Sequence, residues 1–471
     1  MKLIYQVEDK VKPGALIIFA IQQLLAIMTA TLVVPIIIGH GMDSAAALFG
    51  AGVGTLIYVL FTAKKSPVFL GSSFAFLGSM SAAFAGAASM STGLGYLGLI
   101  IGAFFAGLVY VVIALIVKIV GVKWIDKLMP AVVIGPTVAI IGLSLAGNAV
   151  GDLTKGGYML TRTVEAIEEH QVVMVEESYS AANPIIAVIC GLIALAVTML
   201  CSTFGKKTAK LIPFIFGIIA GYAASIVFTL IGDAAGIDSL KVISFAPFTN
   251  LLADGKVTLS TFFRVPDFAF LQIGDGFSHL DGAYIATIAA AYVPVAFVVF
   301  AEHIADHKNI SSIIERDLLE KPGLHRTLLG DGVGSMVGAF FGGCPNTTYG
   351  ESIGCVAITK NASVYTIIAA AVGAIIISFF SPFIAFVNSI PSCVMGGICM
   401  ALYGFIAVSG LKMVQAVDLN KNKNLFVVSV ILIAGIGGLT LSFGKVTITE
   451  VACALILGIL TNIMLKNAKD E

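Results

Sequence analysis

Long apolar runs follow one another from Pro13 almost to the end of the chain, separated by short polar stretches, and they leave few folds open. Of 471 residues, 58% are hydrophobic and only 11% charged, whereas a soluble domain is charged at about a quarter of its positions. Surface area falls too slowly with chain length for a water-soluble packing to hide this much apolar surface, so the solvent must be lipid. In lipid every backbone polar group must be satisfied internally, which restricts spanning structures to helices and closed barrels. Runs of roughly 20 apolar residues fit helices. We read spans at 14–38, 44–62, 68–86, 94–120, 127–149, 184–203, 211–232, 282–306, 326–343, 345–358, 363–388, 391–412, 424–443 and 447–466. The expected fold is an all-α polytopic membrane protein of fourteen segments, those at 68–86 and 345–358 being irregular.

Charge placement tests this reading, because Lys and Arg favour cytoplasmic loops. With the N-terminus inside, all but six of the 27 Lys and Arg fall on the cytoplasmic side; the others are Lys155, Arg162, Lys241, Lys256, Arg264 and Lys445. The expectation is a multi-pass protein of the cytoplasmic membrane with both termini cytoplasmic. The run after the polar stretch 1–13 reaches Gly39, too long for a signal-peptide core, so it is expected to stay as the first span. Two long outside loops, 151–183 (with Glu165, Glu168, Glu169, Glu176 and Glu177) and 233–281, are expected to carry short amphipathic helices. A net charge of zero gives no attraction for nucleic acid. The seven cysteines sit in apolar segments without CxxC spacing, which predicts free thiols.

The chain repeats itself weakly. Gly71-Ser72-Ser73-Phe74-Ala75 resembles Asn346-Thr347-Thr348-Tyr349-Gly350, and Met129-Pro130 with Gly135 resembles Ile390-Pro391 with Gly396. Seven predicted spans separate the copies, an odd number, so the halves are expected to be inverted in the membrane, as in many transporters.

An ionisable group at membrane depth costs roughly 2.5–3.5 kcal/mol on insertion scales, which makes each one a functional candidate. Glu302 ends the apolar run 283–301, and Glu351 lies in the irregular segment 345–354. Asp306 shares a helix face with Glu302 and could relay protons, although a place near the helix end would also let it reach water. His303 and His307 have the i, i+4 spacing of a zinc helix, but the glutamate precedes the first histidine instead of following it and no third ligand is evident, so no metal site is expected. The glycine strings Gly50–Gly54 and Gly330–Gly338 lack the strand and Lys-Ser/Thr of a phosphate loop and are expected to permit close helix packing. No nucleophile, base and metal set closes, so neither an enzyme nor a cofactor is expected.

Irregular backbone in a membrane survives where it is buried or lines a cavity, and its free N–H and C=O groups can then bind a polar ligand. Phe74 and Tyr349 offer ring faces, while Glu302 and Glu351 offer acceptors for ring N–H groups. A planar pyrimidine-dione edge would fit that constellation. A channel or anion carrier would have no need of the two acids and would favour Lys, Arg or helix N-termini instead.

At these residues the sequence resembles the nucleobase-ascorbate transporter family over nearly its whole length. The likeness is carried by Gln22-Gln23-Leu24-Leu25-Ala26 ending at Pro35, by Gly71–Phe76, by Ala301-Glu302-His303, by Pro322-Gly323-Leu324-His325-Arg326, by Pro345–Glu351 and by Met395-Gly396-Gly397. The resemblance implies a core domain (1–126 and 282–389) and a gate domain (127–281 and 390–471), with short antiparallel strands in the third and tenth segments. By matched position it implies that Glu302 and Glu351 bind the base, with Phe74 and Tyr349 beside it, Ala30 and Gly350 lining the pocket and Tyr403 near Glu351. It also implies a homodimer in membrane lipid that imports uracil with a proton, using Glu302 and Asp306. Three positions depart from the uracil-carrying pattern: Gln23 and Asp306 stand where His is usual, and Cys399 replaces a serine. Asp306 is also found in purine carriers, so xanthine or urate is the alternative solute. Glu351 favours uracil, because a carboxylate there suits the N–H of a pyrimidine-dione.

Overall fold

The computed structural model describes residues 3–88, 90–121, 130–168, 171–206, 208–252, 255–443 and 446–466. Met129, Glu169 and the lysines Lys2, Lys123, Lys127, Lys207, Lys445 and Lys469 of the charge argument lie outside them. In chain order the main elements are α1 (Pro13–Ile38), α2 (Ser44–Phe61), β1 (Leu70–Ser72), α3 (Leu77–Ala87), α4 (Thr92–Val120), α5 (Ala131–Ser144) and α6 (Ala146–Leu153). Then come β2 (Met159–Glu168), β3 (Gln171–Ser180), α7 (Pro184–Phe204), α8 (Pro213–Ala235), α9 (Gly282–Ile314), α10 (Leu324–Gly342), β4 (Asn346–Thr348) and α11 (Gly350–Thr359). The chain ends with α12 (Val364–Ile377), α13 (Ser381–Asn388), α14 (Ser392–Gln415), α15 (Asn422–Ile436), β5 (Leu441–Phe443), β6 (Val446–Ile448) and α16 (Glu450–Met464). Among the described residues, eight helical stretches are long and apolar enough to cross a bilayer: α1, α2, α4, the stretch Ala131–Leu153, α7, α8, α9 and α14. At 33 residues α9 is about 50 Å long, more than a hydrocarbon core of about 30 Å needs, so it reaches beyond the lipid.

Several boundaries differ from the sequence reading, each for a local reason. The segment 363–388 is two helices, because Pro382 cannot donate to a continuing helix and opens α13 instead. Among its described residues, the loop 151–183 carries no amphipathic helix of the kind expected. It forms the hairpin β2–β3, registered from Met159 opposite Ser180 to Glu168 opposite Gln171, and its Thr161, Thr163, Val164, Val172, Val173 and Val175 are β-branched residues suited to strands. With it and β5–β6, the described chain is mostly helical and not all-α. Among its described residues, the second loop holds short helical turns at Asp238–Leu240, Ala246–Thr249, Leu259–Thr261, Ala269–Leu271 and Gly276–His279.

Contacts divide the chain into two compact units. The first comprises Met1–Ser144, Val265–Phe379 and Phe405–Glu471. Its centre is the packing of α2 on α10, where glycine meets glycine: a Cβ on Gly54 would lie 2.7 Å from the Gly334 carbonyl, and one on Gly50 would overlap Gly338. Small residues let membrane helices approach to backbone contact, which is the role expected of these strings. Asn346 fills the groove beside them and donates Nδ2 to the Gly50 carbonyl at 3.2 Å. At the N-terminus of α4, Ser91 accepts from Gly93 N and donates to Asp275, which His279 approaches at 3.3 Å. The Ser91 hydrogen bond, and after it that of His279, holds the Asp275 carboxyl below its ordinary pKa.

The second unit comprises Leu145–Arg264 and Phe380–Gly404. Here α7 and α8 pack through Gly217 and Gly221 against Ala194 and Cys190. Their hydroxyls turn back to their own helices, Thr198 to Ala194 O and Ser225 to Gly221 O, both at 2.8 Å. Beyond α8, Lys241 bonds Asp238 at 3.0 Å and Asp233 at 3.1 Å, contacts that push its pKa up to about 12.

Candidate functional site

Two interrupted helical segments meet in the first unit. Strand β1 pairs antiparallel with β4, Leu70 opposite Thr348, Gly71 opposite Thr347 and Ser72 opposite Asn346. Backbone bonds extend the pairing on both sides, Ser73 N to Pro345 O at 2.8 Å and Tyr349 N to Phe69 O at 3.1 Å. Gly71 is required at the crossing, because a side chain there would occupy the space of the Tyr349 ring and Thr31. Each strand runs into a helix: β1 into the turn Phe74–Phe76 and α3, β4 into α11, which carries Glu351 in its first turn. Two helix N-termini, with their free N–H groups, therefore start at the crossing. The hydroxyls of Ser73 and Thr347 are buried there and have no hydrogen-bond partner among the described residues.

The acids converge from α9 and α11. Glu302, Asp306 and Glu351 are each half-buried, and the groups that act electrostatically on Glu302 are Asp306, Glu351 and Asp331, all of them acids. Thr348 donates to Asp306 at 2.8 Å and so ties β4 to α9. A Cβ on the exposed Gly350 would meet only Asp306, at 4.0 Å.

The adjoining face of α9, about 100° round the helix, is fastened to the interior by the two histidines. His303 Nδ1 lies 2.6 Å from Asp331 Oδ2, and Nε2 lies 3.0 Å from Thr327 Oγ1. Thr327 gives its own proton to the Leu324 carbonyl, so it must accept from His303 Nε2–H. The short contact to Asp331 then needs a proton of its own, which makes the buried pair a neutral, proton-sharing unit. His307 stacks on His303 with ring centroids 4.0 Å apart and donates Nδ1–H to the His303 carbonyl, leaving Nε2 to accept from Tyr58 at 2.6 Å; Tyr58 in turn meets Ser66 at 2.7 Å. The helical His-His spacing thus joins α9 to α10 and α2. Among the described residues, no group of three His, Cys, Asp or Glu is disposed to hold a metal ion.

The remaining predicted residues fall in different surroundings. Phe74 is half-buried on the turn after β1. Tyr349 is buried with its hydroxyl on the Ser72 carbonyl at 2.7 Å, so it braces the two strands. Ala30 is buried in α1, one residue before Thr31. Tyr403 is buried in the second unit, where its hydroxyl bonds Cys399. Gln23 reaches the hydroxyl and carbonyl of Ser352, whose Oγ also accepts from Phe69 N at 3.0 Å, so α1 is tied to α11 and β1. Sequence reasoning missed Asp331. The rule that singled out Glu302, an acid in an apolar stretch, applies equally to Gly330-Asp331-Gly332.

The model of the Permease family matches residues 14–443. The chain belongs to that family. Among curated proteins it is 37% identical to the uracil permease of Bacillus caldolyticus, over 98% of this chain and 95% of the relative. Identity is 36% to the uracil permease of Bacillus subtilis (strain 168), over 99% and 96%, and 32% to that of Escherichia coli (strain K12), over 95% and 90%. Among solved structures the fold is similar to the transmembrane domain of the cyanobacterium bicarbonate transporter BicA, with a TM-score of 0.61 at 14% identity over 97% of this chain and all of that one. It is also similar to SLC26A9, with a TM-score of 0.62 at 10% identity over 97% of this chain and 66% of that one. This permease is accordingly a multi-pass membrane transporter and not an enzyme.

Proposed function

We propose that this permease imports a nucleobase, uracil foremost, across the cytoplasmic membrane together with a proton. The observation that carries the reading is the grouping of Glu302, Asp306 and Glu351 where β1 crosses β4, beside buried hydroxyls with unused hydrogen-bonding capacity. Acceptors from the acids and donors from hydroxyls and free N–H groups match the alternating edge of a pyrimidine-dione, and Phe74 offers its ring face. The curated relatives named uracil permeases support the same solute. A site of acids repels anions, which disfavours an anion carrier in spite of the shared fold. Asp306 favours xanthine or urate as the second reading.

A carboxylate in lipid is costly without a counter-charge, and a proton carried on Glu302, with Asp306 as its relay, removes that cost as the base moves inward. In the full reading, fourteen segments form two inverted repeats, both termini are cytoplasmic, and the protein is a dimer in lipid. The stretches 1–126 and 282–389 form the core, with Ala30, Gly350 and Tyr349 around the base, and 127–281 and 390–471, which include Tyr403, form the gate. In proteoliposomes, an imposed proton gradient should concentrate labelled uracil, and a protonophore or Glu302→Gln should abolish accumulation. Accumulation that persists in Glu302→Gln removes the proton role, and preference for xanthine over uracil selects the second reading.

A further inference from the structure

The segment before α1 is bound along its length to two separate parts of the first unit. Tyr5 forms a parallel bridge with Asn361. Ile4 N donates to Lys360 O at 2.8 Å, Ala362 N to Tyr5 O at 3.0 Å and Val364 N to Val7 O at 2.9 Å, while Ser363 Oγ donates to Asp9 O at 2.6 Å. Val7 is fully buried, Val11 nearly so, and the Tyr5 ring meets Phe19 edge-on. On its other side, Arg316 Nη1 reaches both oxygens of Glu8, at 2.6 and 2.8 Å. Residues 360–364 join α11 to α12, and Arg316 lies just past the end of α9. The two helices so clasped are the ones that carry Glu351 on one side and Glu302 and Asp306 on the other.

A short polar stretch at a chain terminus is ordinarily loose unless something ties it down. Here a backbone ladder and a buried valine tie it; the exposed ion pair alone adds little and serves to direct the contact toward α9. The strap then continues into α1, whose Gln23 holds Ser352 next to Glu351. Three attachments thus bear on one spacing.

We propose that residues 4–11 are a positioning strap that fixes the separation of Glu351 from Glu302 and Asp306, and through it the affinity for the transported solute. The proposal rests on the site reading above. None of the strap residues belongs to the site; they act through the helix ends they hold.

The test undocks the strap with Val7→Asp in the full-length protein. Spin labels at Lys308→Cys on α9 and Ile358→Cys on α11, in a background freed of native cysteines, report the helix spacing without any solute. A single narrow distance distribution is expected with native Val7 and a broad one with Val7→Asp, and trypsin should cut at Lys10 and Lys12 faster in the variant. The half-saturation concentration for uracil should rise about tenfold at an unchanged maximal rate per folded molecule, since a misplacement of about 1 Å can weaken a site by such factors. Glu8→Arg and Arg316→Glu should each shift it in the same direction, and the double reversal should restore it. A distribution that stays narrow in Val7→Asp although trypsin cuts the variant faster, or a lowered rate at unchanged half-saturation, overturns the proposal. Should the protein bind no uracil, the solute assignment falls, while the label distances still decide whether the strap sets the spacing.

Discussion

The two compact units differ in where their ionisable groups lie: the buried acids and histidines are in the first. In the second unit the hydroxyls of Thr198, Ser225 and Thr229 bond back to the preceding turn, with Tyr222 reaching Ser389, and apolar residues such as Ile185, Leu200, Ile219 and Leu230 stand exposed on the surfaces of α7 and α8. In the first unit two helical segments are broken by strands, acids gather on α9 and α11, and histidines pair with an acid and a tyrosine in the interior. Side chains that satisfy themselves locally make a helix indifferent to its neighbours, whereas polar groups that need partners on other helices fix one arrangement and leave capacity for a ligand. The three acids of the proposed site all lie in the first unit.

That contrast is open to mutation. The largest loss of stability should follow Asp331→Ala, which strands His303 in the interior and should cost about 3 kcal/mol, read as a lowered melting temperature of purified protein. Gly54→Ala should cost about 1–2 kcal/mol by forcing α2 from α10, with the same readout. Asp275→Asn probes a polar tie outside the spans. Because the folded-state pKa of Asp275 lies below its unfolded value, its contribution is present at neutral pH and lost as pH falls through the carboxylate range. The melting difference between wild type and Asp275→Asn should therefore be small at neutral pH and close as pH falls below the ordinary aspartate range. Smallest of all, Ser225→Ala in α8 should change stability by under about 0.5 kcal/mol and leave uracil affinity alone. A cost as large as that of Asp331→Ala would erase the distinction between the units.

Much of the candidate site was legible in its backbone, because the signals for the β1–β4 crossing are local. Gly71–Phe76 and Asn346–Gly354 announce irregular backbone by composition, and Glu302 and Glu351 stand out as acids against apolar surroundings. The glycine strings announce a close approach, although nothing in them names Gly338 as the partner of Gly50. What escaped was set by partners far along the chain. Gln23 finds Ser352 at a separation of 329 residues, and the segment at Tyr5 finds Asn361, pairings that no local periodicity encodes. The β2–β3 hairpin was missed for a different reason. Its β-branched residues were present, but an outside loop in a helical protein was read by context instead of by its own pattern.

The central claim is that acids on α9 and α11 hold a nucleobase, and equilibrium binding of labelled uracil to the purified protein tests it most directly. Wild type should bind uracil, and Glu302→Gln and Glu351→Gln should each weaken binding by about 2 kcal/mol, roughly thirtyfold, with melting temperature retained. Unchanged affinity in both variants would contradict the account.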